Sequence, residues 1–202
     1  ELAPPRRLNF VGKGDFKNVG NKFLEHFIEE GGLTKDDHVL DIGCGIGRMA
    51  VPLTRFLSDK GSYEGIDVVR SGIDWCSRRI TPEFPNFNFQ VADIYNKRYN
   101  TKGKYKASNY KFPFTDESFD FVILTSVFTH MLPHDMENYL KEISRILKKG
   151  GRCFITYFLI NQEVLELIDK KQSRWNFKYR YDNYCVESED LPESVVGYQE
   201  NF

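Results

Sequence analysis

The chain has 202 residues, of which 41% are apolar and 28% charged, with a formal net charge of −1. That length suits one domain with a sizeable core, and the near-neutral balance gives no global pull towards nucleic acid or an anionic membrane. No apolar run reaches the ~18 residues that a membrane-spanning helix needs, and no secretory signal opens the chain. Cys44, Cys76, Cys153 and Cys185 lie far apart without a C-x-x-C pair. A disulfide framework and a metal site are therefore not expected, and a reducing cytoplasm is the expected setting.

Residues 1–14, rich in Pro, Arg and Gly, read as an irregular arm. From Asp15, an N-cap, apolar residues recur at Phe16, Val19, Phe23, Leu24, Phe27 and Ile28, one face of a helix stopped by Gly31-Gly32. Strand 1 is expected over 38–42, followed by helix character through Met49, Ala50, Leu53, Phe56 and Leu57, with Pro52 removing one donor. "YEGID" (63–67) is strand 2, a helix covers 71–80, and "FNFQVAD" (87–93) is strand 3. "FDFVILTSV" (119–127) is nearly unbroken apolar sequence, as in a strand buried on both faces. A helix over 135–148 is closed by Lys148, Lys149 and Gly150-Gly151, and "RCFITYFLI" (152–160) is a further buried strand. Alternation of this kind predicts an α/β fold, a doubly wound, mostly parallel sheet with helices on both faces. Ligands of such sheets bind beyond the carboxyl ends of the strands.

The residues at those ends are informative. "HVLDIGCGIGRMA" (38–50) places glycine at 43, 45 and 47, so backbone turns sharply there or lies close to a ligand. Asp67 ends strand 2, where a carboxylate can accept from a ribose diol, and Asp93 ends strand 3, beside the place of an adenine ring. A nucleoside cofactor fits, and nicotinamide dinucleotides compete with S-adenosylmethionine. A dinucleotide loop wants G-x-G-x-x-G. Counted from Gly43 the last glycine falls on Arg48, and counted from Gly45 it falls on Ala50, which matches the looser form. Asp41 weighs the other way: an acid there repels a pyrophosphate and suits the ammonium and sulfonium of S-adenosylmethionine.

"VLDIGCGIGRMA", "YEGIDVV", "NFQVADI", "FPFTDESFDFVILTSVFTHM" and "EISRILKKGGRCFITYF", in this order over roughly residues 10–160, resemble a class I S-adenosylmethionine-dependent methyltransferase of the bacterial small-molecule group. The resemblance implies a Rossmann-like sheet and a set of roles. Asp41 and the backbone of Gly43, Cys44 and Gly45 would hold the amino-acid end of the cofactor. Asp67 would take the ribose hydroxyls, with Val68 against the adenine. Asp93 would accept from the adenine amino group, and Ile94 would pack on the ring. Thr125, Ser126 and Val127 would line the methionine portion and the methyl group. Plainer readings stand beside these: Asp67 as a helix cap, Asp93 as a turn residue, Cys44 as small filler, and Arg48 as a helix-supporting side chain.

Methyl transfer asks mainly for positioning and exclusion of water, with a base only where the acceptor must lose a proton. His130 and His134 follow strand 4, and His130 is the candidate base, with holding a loop as its other use. Residues 94–115 carry Lys97, Arg98, Lys102, Lys104, Lys106 and Lys111 without one acid, interleaved with Tyr95, Tyr99, Tyr105 and Tyr110. They read either as a lid for an anionic or sugar-like small-molecule acceptor or as a solvated loop; nucleic acid is not expected. A Rossmann-topology oxidoreductase and a non-catalytic S-adenosylmethionine-binding protein remain as alternatives.

The chain is expected to form a single domain with its core over 15–160. Residues 161–202 add a charged helix (163–171), a hairpin (176–188) turning at Asp182-Asn183, and a tail without an apolar strand of the length a central sheet needs. The family's final antiparallel strands are expected to be missing, the natural polypeptide to continue, and the last parallel strand to stand at an open edge. Oligomeric state is not readable.

Overall fold

The computed structural model describes residues 2–5, 8 and 14–200, so most of the arm expected over 1–14 lies outside them. Asp15 caps helix α1 (Phe16–Glu29), its carboxylate accepting the Asn18 amide at 2.8 Å. The central sheet contains β1 (His38–Ile42), β2 (Ser62–Asp67), β3 (Phe87–Val91), β4 (Phe119–Leu124) and β5 (Leu147–Ile155). Its order is β3-β2-β1-β4-β5, parallel throughout. Helices α2 (Ala50–Leu53), α3 (Arg70–Arg79) and α4 (Pro133–Ile146) lie in the connections. The chain runs outward from β1 through β2 to β3, then returns to β1's other side. The crevice at the carboxyl ends of β1 and β4 is thus the topological switch point, where such folds bind ligands.

Alternation along the strands builds a core on each face. Val39, Tyr63 and Phe121 point towards α1, α2 and α3, packing with Phe27, Leu53, Cys76 and Ile80. Leu40, Ile66 and Val122 point the other way, against Met136, Tyr139 and Ile143 of α4 and against Ile94 and Phe112. Full burial of side chains this size contributes roughly 1.5–3 kcal/mol each.

Several boundaries differ from the sequence reading. The helix after β1 is one turn long, because Pro52 withholds a donor and Thr54 Oγ1 bonds back to the Val51 carbonyl at 2.7 Å. β4 stops at Leu124 rather than Val127, since Ser126 adopts φ +60°. Lys148 and Lys149 do not close α4. The chain becomes extended at Leu147, pairs with Phe119, and passes a bulge and Gly150 (φ +79°) into β5. The amides of Glu117 and Ser118, just before β4, donate to the Arg145 and Ile146 carbonyls at 3.0 and 2.7 Å and so serve the helix end. The strand expected over 152–160 breaks at Thr156-Tyr157, and Phe158–Ile160 becomes β6 of a second sheet.

This second sheet has the order β6-β9-β8-β7, with α5 (Gln162–Asp169), β7 (Tyr179–Arg180), β8 (Tyr184–Val186) and β9 (Val196–Gln199). The expected hairpin is β7–β8. The tail, which has no apolar strand of the length a central sheet needs, supplies the short β9 of this second sheet. Four residues suffice because Val196 and Tyr198 are fully buried and Gly197 lets Ile160 and Phe177 close over the backbone. One face of this sheet joins the main core through Val186, Val196 and Tyr198, and the other is covered by Val164, Leu165 and Ile168 of α5. Among the described residues no antiparallel strand extends the central sheet, whose edges are β3 and β5.

Candidate cofactor site

Beyond β1 the chain turns through Gly43 (φ +82°) and Gly47 (φ +74°), a left-handed conformation that glycine adopts without strain. At Gly43 a side chain is also sterically barred, since a Cβ would lie 2.5 Å from Val127 Cγ2. The loop is laced to the end of β2. The Gly43 and Cys44 amides donate to the Ile66 carbonyl at 2.8 and 3.1 Å, and the Gly45 amide donates to Asp67 Oδ2 at 2.7 Å. Asp67 Oδ1 accepts the Val69 amide at 2.7 Å, but the N-cap of α3 is Val69 itself and no side chain caps the helix, so Asp67 is not the helix cap of the plainer reading. Burial pushes its carboxyl above the usual range, opposed by the amides of Val69, Gly45 and Val68. Three amides on a carboxylate with about four acceptor positions leave room for one further donor, such as a ribose hydroxyl.

Asp41 is wholly buried below this loop. Its Oδ2 accepts the Tyr63 hydroxyl at 2.6 Å, while Oδ1 has no hydrogen-bond partner among the described residues. Burial pushes its carboxyl up to about 7, the Tyr63 bond works the other way, and the Asp67 charge adds to the rise. Cys44 is buried against the Gly65 backbone, its thiol pushed up by burial and then by Asp67 and Asp41. It acts as filler, and its side chain offers no thiolate chemistry. Two buried carboxylates, one oxygen unpartnered, favour a positive or donor-rich ligand over an anionic one. A pyrophosphate would worsen the repulsion, whereas an α-ammonium with a sulfonium relieves it.

The carboxyl end of β3 is less open. Asp93 stands at the foot of the crossover to β4, accepting the Lys104 amide at 3.3 Å, with the Lys104 ammonium at 3.8 Å. Ile94 is 4% exposed and packed in the core, while Val68 is partly buried at its margin. On the other wall, Thr125, Ser126 and Val127 leave β4 in an irregular turn with Ser126 exposed. His130 is exposed, its Nδ1 3.2 Å from the Glu193 carbonyl, so Nδ1 is the donor and Nε2 is the acceptor of the neutral ring. His134 is exposed in the first turn of α4 and adjoins Asp135.

The basic stretch is not a free loop: it holds a single 3-10 turn (Ala107–Asn109) and is bound by α4. Asn138, Glu142 and Arg145, one stripe of α4, bind its backbone. Asn138 donates to the Ala107 and Tyr110 carbonyls, Glu142 accepts the Phe112 amide, and Arg145 donates to the Phe112 and Phe114 carbonyls. Its tip is tied by paired Asn96–Asn100 amide bonds, leaving Tyr95, Tyr99 and Tyr105 at 49%, 42% and 54% exposure. The sequence reading missed this stripe, although its four- and three-residue spacings were visible, and missed Tyr63 as the partner of Asp41.

The family model described as a methyltransferase domain matches residues 40–155, more than half of the chain. The chain belongs to the class I S-adenosylmethionine-dependent methyltransferases. The nicotinamide reading that Ala50 had left open is thereby set aside. Among curated relatives, phthiotriol/phenolphthiotriol dimycocerosates methyltransferase 1 of Mycobacterium ulcerans is 35% identical over 128 residues, 63% of this chain and 40% of the relative. The tRNA N(3)-cytidine methyltransferase METTL2 of Gallus gallus is 29% identical, over 66% of this chain and 34% of its own. The methyltransferase chain thus spans well under half the length of these relatives. In fold it resembles the PH0226 protein from Pyrococcus horikoshii OT3 with a TM-score of 0.62 at 18% identity, covering 96% of this chain and 81% of that one.

Proposed function

We propose that this methyltransferase domain moves a methyl group from S-adenosylmethionine to a small-molecule acceptor that enters beyond β4 and β5. The observation that carries the cofactor side is the buried pair Asp41 and Asp67 around the glycine loop, with Asp41 Oδ1 unpartnered. In this reading Asp41 and the backbone of Gly43, Cys44 and Gly45 hold the amino-acid end, and Asp67 takes a hydroxyl of the ribose diol beside Val68. Asp93 and Ile94 border the adenine, where Lys104 gives up part of its hold on Asp93. Thr125, Ser126 and Val127 form the wall between the methyl group and the acceptor.

The bound cofactor supplies a methyl group already activated on a positively charged sulfur. The protein then has to align the acceptor with that methyl and keep water away. The second sheet closes this side: the Tyr198 hydroxyl donates to the Met131 carbonyl at 2.5 Å, and the turn at Glu193 holds His130. Where the acceptor must lose a proton, His130 Nε2 receives it. The chain acts as one domain over 1–202 in the cytoplasm, its four cysteines free thiols. Among the described residues no helix is long and apolar enough to cross a membrane.

A second reading draws on the exposed tyrosines and lysines of the 95–106 tip, a surface that stacks and neutralises a nucleic acid strand as readily as an anionic metabolite. Methyl-labelled S-adenosylmethionine incubated with the protein and a cell extract separates the two. Label in the low-mass fraction supports the small-molecule acceptor, and label confined to RNA overturns it. With an anionic small acceptor, Lys102→Gln/Lys106→Gln is expected to raise KM about two- to tenfold at low salt, the scale of two exposed charges. Cofactor affinity should not change, and the difference should shrink as salt rises. Steady-state kinetics at two ionic strengths checks this, and unchanged KM assigns the lysines to solvation alone.

A further inference from the structure

We propose that Thr156 is a positioning residue, whose hydroxyl fixes the wall of the site by holding Ser126 in a left-handed conformation. The proposal rests on the cofactor reading above. Regular pairing of β4 and β5 ends at Leu124 and Ile155. Thr156 adds two bonds beyond that point. Its amide donates to the Leu124 carbonyl at 3.0 Å, and its Oγ1 accepts the Ser126 amide at 2.8 Å. A side chain thus extends the ladder where the backbone of β4 has already turned away.

That turn is a costly one. Ser126 has φ +60°, a conformation that disfavours any residue with a Cβ and persists where neighbours impose it. Further bonds tie the turn to the next segment: Thr129 Oγ1 donates to the Ser126 carbonyl at 3.1 Å, and the His130 amide donates to the Val127 carbonyl at 2.9 Å. The result is that Val127 lies against Gly43, so near that a Cβ there would be 2.5 Å from Val127 Cγ2. One line of contacts therefore runs from Thr156 at the end of β5, through Ser126 and Val127, to the first glycine of the cofactor loop. Thr156 is also the point where the chain leaves the central sheet for β6, so the two sheets are joined at this clamp.

The test uses Thr156→Val, which keeps the shape and removes the acceptor, and Thr156→Ser, which keeps the hydroxyl. S-adenosylhomocysteine binding is measured by calorimetry and amide exchange at Ser126 by NMR, on variants that retain a cooperative thermal transition. The valine variant is expected to bind roughly five- to tenfold more weakly, the loss of one hydrogen bond of ordinary strength, and to expose the Ser126 amide to exchange. The serine variant should match the wild type in both. Wild-type affinity and exchange in the valine variant would overturn the proposal, as would equal losses in both variants. If the wild-type protein itself fails to bind, the cofactor reading falls first. If it binds and valine changes nothing, the clamp alone falls.

Discussion

Replacing Asp67 by alanine is expected to weaken S-adenosylmethionine binding by roughly 1.5–3 kcal/mol, the scale of hydrogen bonds to a charged group. The cofactor contact is only part of what is lost. Asp67 also receives the Gly45 and Val69 amides at 2.7 Å each, so alanine strands the loop's own donors. A stability loss of about 1–3 kcal/mol should accompany the affinity loss, because unpaired buried amides are costly. Asp67→Asn separates the effects, since its single carbonyl oxygen keeps one of the two amides. Calorimetry for affinity and thermal unfolding for stability check both parts. Unchanged affinity in a folded Asp67→Ala protein would remove the ribose role.

Asp41 should show the opposite coupling, with function set against stability. Its carboxyl is raised to about 7 in the folded protein, chiefly by burial. The folded state therefore binds more protons than the unfolded one between the ordinary carboxylate range and pH 7. Stability from this group is greatest below that window and falls as pH rises through it. At pH 8 the ionised Asp41 costs several kcal/mol, since each tenfold change in proton affinity corresponds to about 1.4 kcal/mol. Asp41→Asn removes that charge and keeps an acceptor for Tyr63, while its amide adds a buried donor costing about 1–3 kcal/mol. Relief of the buried charge outweighs the added donor, and the variant is expected to be about 1–2 kcal/mol more stable at pH 8. A cationic ligand favours ionised Asp41, so wild-type affinity should rise up to about tenfold from pH 6 to 7.5 and then level off. In the asparagine variant affinity should be lower and this pH dependence absent. Denaturant unfolding and calorimetry across pH test this; a less stable variant, or a flat wild-type profile, contradicts it.

These contrasts show what the sequence made legible. The glycine loop, Asp41, Asp67 and the strands that carry them were readable because each depends on a few adjacent residues: an apolar run, then turn chemistry, then an acid. Partners across the sheet were not readable. Tyr63 reaches Asp41 because parallel pairing of β1 with β2 sets Tyr63 beside Val39 and Asp41 beside Gly65, a register no local pattern records. The β4 boundary failed for a related reason. Thr125, Ser126 and Val127 continue an apolar-looking run, and the strand stops only because Thr156, thirty residues later, holds the turn. Lys148 and Lys149 resembled a helix end, yet the Glu117 and Ser118 amides, distant in sequence, serve the last helix carbonyls. The second sheet was the least legible part, since its strands are two to four residues long and too short to show periodicity.

The most direct test of the account is calorimetric titration of the wild-type protein with S-adenosylmethionine and, separately, with NAD at pH 7.5. The account predicts saturable one-to-one binding of S-adenosylmethionine, weakened in Asp67→Ala, and no binding of NAD. Binding of NAD without S-adenosylmethionine would contradict it, as would S-adenosylmethionine binding that is indifferent to Asp67.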